Sequence, residues 1–131
     1  MSDVPARPPH ADPPAPGQGA KPPVLALIRD LMFSSRVTGT AAELGIPVRV
    51  IRDPARLADE PGRRLIVDLN QPGAIDAASA WRGRGGGRAD VIGFVSHVDT
   101  ATIQQARAAG IDRVMARSQF VQVLPELLSG E

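Results

Sequence analysis

Short apolar runs alternate with longer amphipathic stretches from residue 24 onward. The run over 24–28 is apolar at every position, without the alternation of a strand that has one face in water. A strand covered on both faces is typical of a parallel sheet between two layers of helices. Similar runs follow along the chain, and the pattern predicts five strands, at 24–28, 48–51, 64–68, 91–95 and 113–116.

The stretches between these runs have helical spacing and recognisable helix ends. Gly45 and Gly110 follow two of them, while Asp53-Pro54, Asp99 and Ser118 stand at the starts of three others. Asp99 and Ser118 are predicted caps, and a loop is predicted over 82–88. The predicted helices cover 31–44, 54–60, 74–81, 100–109 and 118–128.

Five strands that alternate with five helices through short connections predict an α/β fold. The expected architecture is a single flavodoxin-like domain, a doubly wound five-stranded parallel sheet in the order 2-1-3-4-5. In such sheets ligands bind beyond the carboxyl ends of the strands. The residues that directly follow each strand are therefore the candidates for function.

The first 22 residues differ in composition from the rest of the chain. Prolines recur there between small and polar residues, which bury too little apolar surface to offset the entropy of ordering. We predict a disordered proline-rich tail over 1–22 and a folded domain over 23–131. The spacing in Pro13-Pro14-Ala15-Pro16 would suit a proline-binding partner, but a solubilising tail is the simpler interpretation.

Composition excludes some classes of site and disfavours others. The chain has no cysteine, so it has no disulfide and no thiolate metal site. A net charge of +1 gives no reason to expect nucleic acid or a membrane as partner. The Gly/Arg-rich segment over 82–88 is one short copy without aromatics, which favours a solvated loop. We expect a soluble, cytoplasmic protein.

Chemically active side chains follow four of the predicted strands. Arg29-Asp30 follows the first strand, Asp68 ends the third, Ser96-His97 follows the fourth and Arg117-Ser118 follows the fifth. Because the carboxyl ends of parallel strands lie at one edge of the sheet, these residues should converge. Two carboxylates, two guanidinium groups and a hydroxyl would then meet in one crevice.

These residues, with the loop Asp68-Leu69-Asn70-Gln71-Pro72, resemble the receiver domain of two-component response regulators. The resemblance covers residues 24–128. It implies that Asp68 accepts a phosphoryl group from a histidine kinase. It also implies that Ser96 and Arg117 contact the phosphoryl oxygens.

The resemblance also implies a divalent metal site, and this chain departs from it. Receiver domains have two acidic residues after the first strand, and here Asp30 is the second while Arg29 replaces the first. Asp30, Asp68 and the backbone carbonyl of Asn70 would be the remaining ligands. Mg²⁺ normally takes two or more protein oxygens in octahedral geometry, so we predict weakened or lost binding. Arg29 could instead pair with Asp68 or Asp30 as an internal counter-ion.

Three further departures indicate a degenerate receiver, or pseudo-receiver. His97 stands where receivers have a small residue, and it would narrow the access to Asp68. Arg117 replaces the lysine of the family, and its planar fork differs from a point charge. Val114 stands in place of the aromatic residue on the fifth strand.

The expected function is regulation by a stand-alone receiver-like domain that is not an enzyme. Its partners would be a histidine kinase or another protein, and a homodimer could form through the face built from 100–109, 113–116 and 118–128. No effector domain is expected after the last helix. The alternatives are a flavodoxin-like domain that binds a small molecule, or an enzyme that uses Asp68 and His97 as an acid–base pair.

Overall fold

The computed structural model describes residues 22–84, 90–96, 99–111 and 113–130. Almost all of the proline-rich tail, part of the Gly/Arg-rich segment and His97 lie outside the described residues. What the sequence predicts for them stays a prediction. Within the described ranges, no helix combines the length and the apolar character needed to cross a membrane.

Five parallel strands form one sheet in the order β2-β1-β3-β4-β5. The interior strand β1 pairs with β2 through Val24 and Val48, and with β3 through Val24 and Arg64. The predicted fold class and strand order are confirmed. The strands are β1 (Val24–Leu27), β2 (Val48–Ile51), β3 (Arg64–Asp68), β4 (Asp90–Val95) and β5 (Arg113–Ala116).

Helices cover both faces of this sheet, and successive residues of β1 point into different cores. Leu25 belongs to a cluster with residues of α2 and α3, including Trp81. Ala26 belongs to a second cluster with residues of α1 and α4, including Phe33 and Phe120. This division explains why the first strand is apolar at every position. The helices are α1 (Leu31–Leu44), α2 (Ala74–Arg84), α3 (Thr100–Ala108) and α4 (Arg117–Ser129).

The helix predicted over 54–60 is wrong, because the structure has only a 3₁₀ turn at Pro54–Arg56. The side chain of Asp53 caps this turn, as its position suggested. The N–H of Leu57 then bonds to the carbonyl of Pro54, three residues back. Pro61 follows after one further turn, and this leaves too little chain for an α-helix to become established.

Helix α2 is longer than predicted, and it includes three residues assigned to a loop. Arg84 at its end pairs with Asp59 at 2.8 Å, and Arg82 donates a hydrogen bond to the carbonyl of Gly110. These tertiary contacts offset the low helix propensity of Gly83. The predicted loop over 82–88 is therefore wrong for its first three residues.

Helix α4 is held at its C-terminal end by two arginines that precede or begin β3. Arg63 donates to the carbonyls of Leu128 at 2.7 Å and Gly130 at 3.3 Å. Arg64 donates to the carbonyl of Leu127 and pairs with Asp90 at 3.0 Å. These bonds satisfy carbonyls that have no partner within the helix.

Candidate functional site

Asp30 joins the N-terminus of α1 to that of α4. Its Oδ1 accepts hydrogen bonds from the backbone N–H groups of Met32 at 2.9 Å and Phe33 at 3.2 Å, which makes it the N-cap of α1. Its Oδ2 lies 3.5 Å from Nη2 of Arg117. Both oxygens of the carboxylate therefore have partners.

Arg117 is the first residue of α4, and three groups surround its guanidinium. Besides the ion pair with Asp30, Nη1 donates to Oγ of Ser96 at 3.4 Å. The guanidinium carbon lies 4.0 Å from the centroid of the Phe33 ring. The predicted cap at Ser118 is wrong, because α4 starts one residue earlier and has no side-chain cap. A positive charge at a helix N-terminus opposes the helix dipole, so these three contacts account for its position.

Asp68 lies at the end of β3, and the loop that follows it runs beside the end of β4 before α2 begins, with the N–H of Leu69 bonded to the carbonyl of Phe94. Its Oδ1 accepts the backbone N–H of Asn70 at 3.0 Å. The side-chain oxygen of Asn70 in turn accepts the backbone N–H of Ser96 at 2.6 Å. Leu69 packs inward over Gly93 of β4, where a Cβ atom would lie 2.6 Å from the leucine side chain. Glycine at this position lets the loop stay close to the sheet.

One chain of contacts therefore links Asp30 to Asp68 through Arg117, Ser96 and Asn70. The structure brings these strand ends together, as the strand order predicts. The roles that the resemblance gives them in metal binding and phosphoryl transfer stay predictions, as does the role of His97.

Arg29 does not make the ion pair suggested for it. Within the described part of the chain it has no carboxylate within 4.0 Å, and Arg117 pairs with Asp30 instead. Successive residues of an extended chain point to opposite sides, so Arg29 and Asp30 diverge after β1. Arg29 is exposed, and its charge still lowers the pKa of Asp68.

The two carboxylates of the site differ in their ionisation. Burial raises the pKa of Asp68 above its ordinary value, although the Asn70 N–H and the charges of Arg117 and Arg29 oppose this effect. The pKa of Asp30 is lowered, first by the N–H of Phe33 and further by the N–H of Met32 and by Arg117. Asp30 is therefore the more firmly ionised of the pair.

The raised pKa of Asp68 predicts a pH-dependent stability. The folded state binds the Asp68 proton more tightly than the unfolded state does. The stabilising contribution of this proton is therefore complete below the ordinary aspartate pKa of about 3.9, and it is lost as pH rises through the pKa of Asp68 in the folded state. Asp68→Asn does not titrate and keeps an oxygen for the Asn70 N–H. The free energy of unfolding of Asp68→Asn, relative to that of wild type, should therefore increase as pH rises from about 3 to about 7.

Urea denaturation of both proteins across this pH range measures the effect. Asp30 and Asp99, whose pKa values are lowered, titrate in both proteins, so the difference reports on Asp68 and its interaction with Asp30. A difference that stays constant with pH would show that burial does not control the ionisation of Asp68.

The donor set does not fit Mg²⁺ well. Among the described residues no three acidic or histidine side chains lie together in a way that could hold a metal ion. Oδ1 of Asp30 is occupied by the N-terminus of α1, and its Oδ2 faces Arg117. Asp68 and the Asn70 carbonyl remain, and they supply too few oxygens to hold Mg²⁺ near the positive charges of Arg29 and Arg117.

Two features of the site were missed by reasoning from the sequence. Phe33 supports Arg117, and it lies three residues after Asp30 at a spacing that brings it back to the same end of α1. Asn70 acts through its side chain on Ser96, whereas the resemblance suggested only its backbone carbonyl. An asparagine two residues after a strand is a recognisable signal for such a turn.

A groove of about 730 Å³ lies beside the site, between the loop after β3 and helix α3. It shares Asn70 with the chain of contacts, but none of the other four residues in that chain line it. The groove therefore lies on the far side of the loop from Arg117. Its polar lining consists of Asn70, Gln71, Asp76, Asp99, Thr102 and Gln105.

The sequence matches no protein-family model and no curated protein. The fold, however, is similar to that of many solved structures. The phosphorylated cyanobacterial phytochrome response regulator RcpA superposes with a TM-score of 0.70 at 12% identity, over 85% of this chain and 96% of that chain.

Two further structures are similar to the same extent. The chemotaxis protein CheY4 of Vibrio cholerae has a TM-score of 0.69 at 19% identity, over 83% of this chain and 97% of that one. A Burkholderia pseudomallei response regulator with a phosphorylated aspartic acid and a calcium ion has a TM-score of 0.69 at 16% identity, over 84% and 68% of the two chains. The predicted resemblance is confirmed at the level of the fold.

Proposed function

We propose that this chain, which has the receiver fold, is a regulatory signalling module that acts through contacts with other proteins. The observation that carries the proposal is the linked polar site at the carboxyl edge of the sheet, with Asp68 at the end of β3. Receiver domains with phosphorylated sites are among its structural neighbours. We propose no catalytic role of its own and a histidine kinase or another protein as partner.

Asp68 is the phosphoacceptor in this proposal. Its carboxylate is half-buried at an edge that a donor can approach, and Ser96 and Arg117 offer a hydroxyl and a guanidinium nearby. Transfer from phosphoramidate would form a P–O bond to the carboxylate, break the P–N bond and release ammonia. A cation normally neutralises charge on the moving group. Weak Mg²⁺ binding therefore makes this step slow.

We expect phosphoramidate with Mg²⁺ to add a phosphoryl group to the wild type only slowly. Loss of the metal's charge stabilisation is worth several kcal/mol, which corresponds to a slowing of about a hundredfold or more. Intact-mass analysis over time measures the adduct, with a fully active receiver domain as the reference. Arg29→Asp restores the acid that receivers have at this position and should speed the reaction, because it removes a positive charge that acts on Asp68 and opposes the metal.

Asp68→Asn is the control for the site of modification, since any adduct that it still forms is elsewhere. Rapid Mg²⁺-dependent labelling of wild type, absent from Asp68→Asn, would show that the chemistry is intact and would contradict the degenerate pocket. No labelling of wild type or Arg29→Asp under any condition would remove Asp68 as acceptor.

The surface proposed for protein contacts is the face of α3, β5 and α4. A shallow hollow of about 320 Å³ lies there, with Val114 and Met115 at its base. Arg107 and Arg113 are exposed at its rim. Partly exposed apolar side chains bordered by charge are typical of a recognition surface. A homodimer through this face is part of the proposal.

A further inference from the structure

Four charges act on one another at the carboxyl edge of the sheet. Asp30 and Asp68 are carboxylates, Arg29 and Arg117 are guanidinium groups, and their formal charges cancel. Sites that hold Mg²⁺ or Ca²⁺ attract the ion with an excess of negative oxygen ligands. These four groups have no such excess.

We propose that Arg117 is the built-in cation of this site, held where it takes the place of a divalent metal, and that its removal strengthens the binding of Mg²⁺. The chain itself thereby supplies the positive charge that a metal ion would otherwise bring.

The contacts of Arg117 show why it does not simply swing away. An exposed arginine with one carboxylate partner exchanges freely with water, and such a pair is weak. Here the two terminal nitrogens of the guanidinium face Asp30 and Ser96, while its central carbon lies over the Phe33 ring. A planar cation with donors at its edge and an aromatic ring below is suited to arginine and not to lysine. The ring is itself fixed, with its centroid 5.0 Å from that of Phe94.

Arg117 also connects the site with a second surface. It lines a hollow of about 340 Å³ between α1 and α4, together with Met32, Phe33, Arg36 and Val121. Negative charge added at Asp68 would compete with Asp30 for the guanidinium of Arg117. Movement of this guanidinium away from Phe33 would uncover the ring beside this hollow. This consequence rests on the proposed function.

Isothermal titration of the full chain with MgCl₂ alone tests the substitution of metal by arginine. Arg117→Gln removes the charge and keeps a polar side chain, and Arg113→Gln removes an exposed arginine of β5 outside the site. We expect Arg117→Gln to bind Mg²⁺ about tenfold or more tightly than wild type, because a nearby positive charge is gone. Arg113→Gln should bind like wild type, and adding Asp30→Asn to Arg117→Gln should abolish the gain.

Equal Mg²⁺ affinity of wild type and Arg117→Gln would overturn the proposal. Should the variant not fold, NMR of the wild type decides the matter. The side-chain resonances of Arg117 should be shifted by the ring current of Phe33, and Mg²⁺ should leave them unchanged. Unshifted resonances, or displacement of Arg117 by the metal at low concentration, would contradict it. Neither measurement uses a phosphoryl donor or a partner protein. The role of Arg117 in Mg²⁺ binding can therefore be confirmed or rejected independently of the proposed signalling function.

Discussion

Replacing Phe120 by alanine should lower the free energy of unfolding by about 3–5 kcal/mol, the usual cost of removing a buried phenylalanine. Phe120 is fully buried on the inner face of α4. Its ring centroid lies 4.7 Å from that of Phe94 and 5.8 Å from that of Phe33. The three rings form the core between the sheet, α1 and α4, and the chain has no other aromatic residue on that side.

Urea denaturation followed by circular dichroism measures this loss. Leu31→Ala is the matched control, since it also truncates a large apolar side chain but at a position that is more than half exposed. It should cost far less, because little apolar area returns to water. A loss below about 1 kcal/mol for Phe120→Ala would mean that the aromatic layer is not tightly packed.

Replacing Asp90 by alanine should cost about 1.5–3 kcal/mol, the range for hydrogen bonds to charged groups. Asp90 pairs with Arg64, whose side chain is only 4% exposed. Without the carboxylate, a buried guanidinium keeps its charge but loses a charged acceptor, and burial of a charge is costly when its partner is gone. Because Asp90 is itself 44% exposed, the loss should stay below that of a fully buried pair.

Asp59→Ala is the control for this second prediction. Asp59 pairs with Arg84 at 2.8 Å, which is as close as the first pair, but its side chain is 84% exposed. Exposed pairs contribute about 0–1 kcal/mol. Chemical denaturation of both variants in the same buffer compares them, and an equal effect would show that burial of Arg64 does not matter.

The succession of strands and helices could be predicted because each element leaves a local signal. A strand buried on both faces must be apolar throughout, as the run at Val24–Leu27 is. The end of α1 was equally clear, since Gly45 has φ of 71° and glycine adopts this conformation without strain. The convergence of Asp30 and Asp68 then follows from the topology.

The partners of individual side chains could not be predicted in the same way. Three arginines follow strands at this edge, Arg29, Arg52 and Arg117, and sequence alone does not show which one faces Asp30. The answer depends on Phe33, whose ring supports Arg117 and not Arg29. Arg64 was likewise assigned to a strand without any sign that its charge would be buried against α4. Such pairings are set by distances between elements that are far apart in the chain.

The set of hydrogen bonds that Arg63 and Arg64 donate to the end of α4 has a practical consequence. It fixes Gly130 at the amino edge of the sheet, where the N–H of Arg63 also bonds to the carbonyl of Pro23. Both ends of the described domain thus leave from the edge opposite Asp68. A fluorophore or surface tether fused at either end would stand about the length of a strand away from the crevice, roughly 15 Å for five residues. Labelled or immobilised protein would therefore keep the carboxyl edge of the sheet accessible from solution.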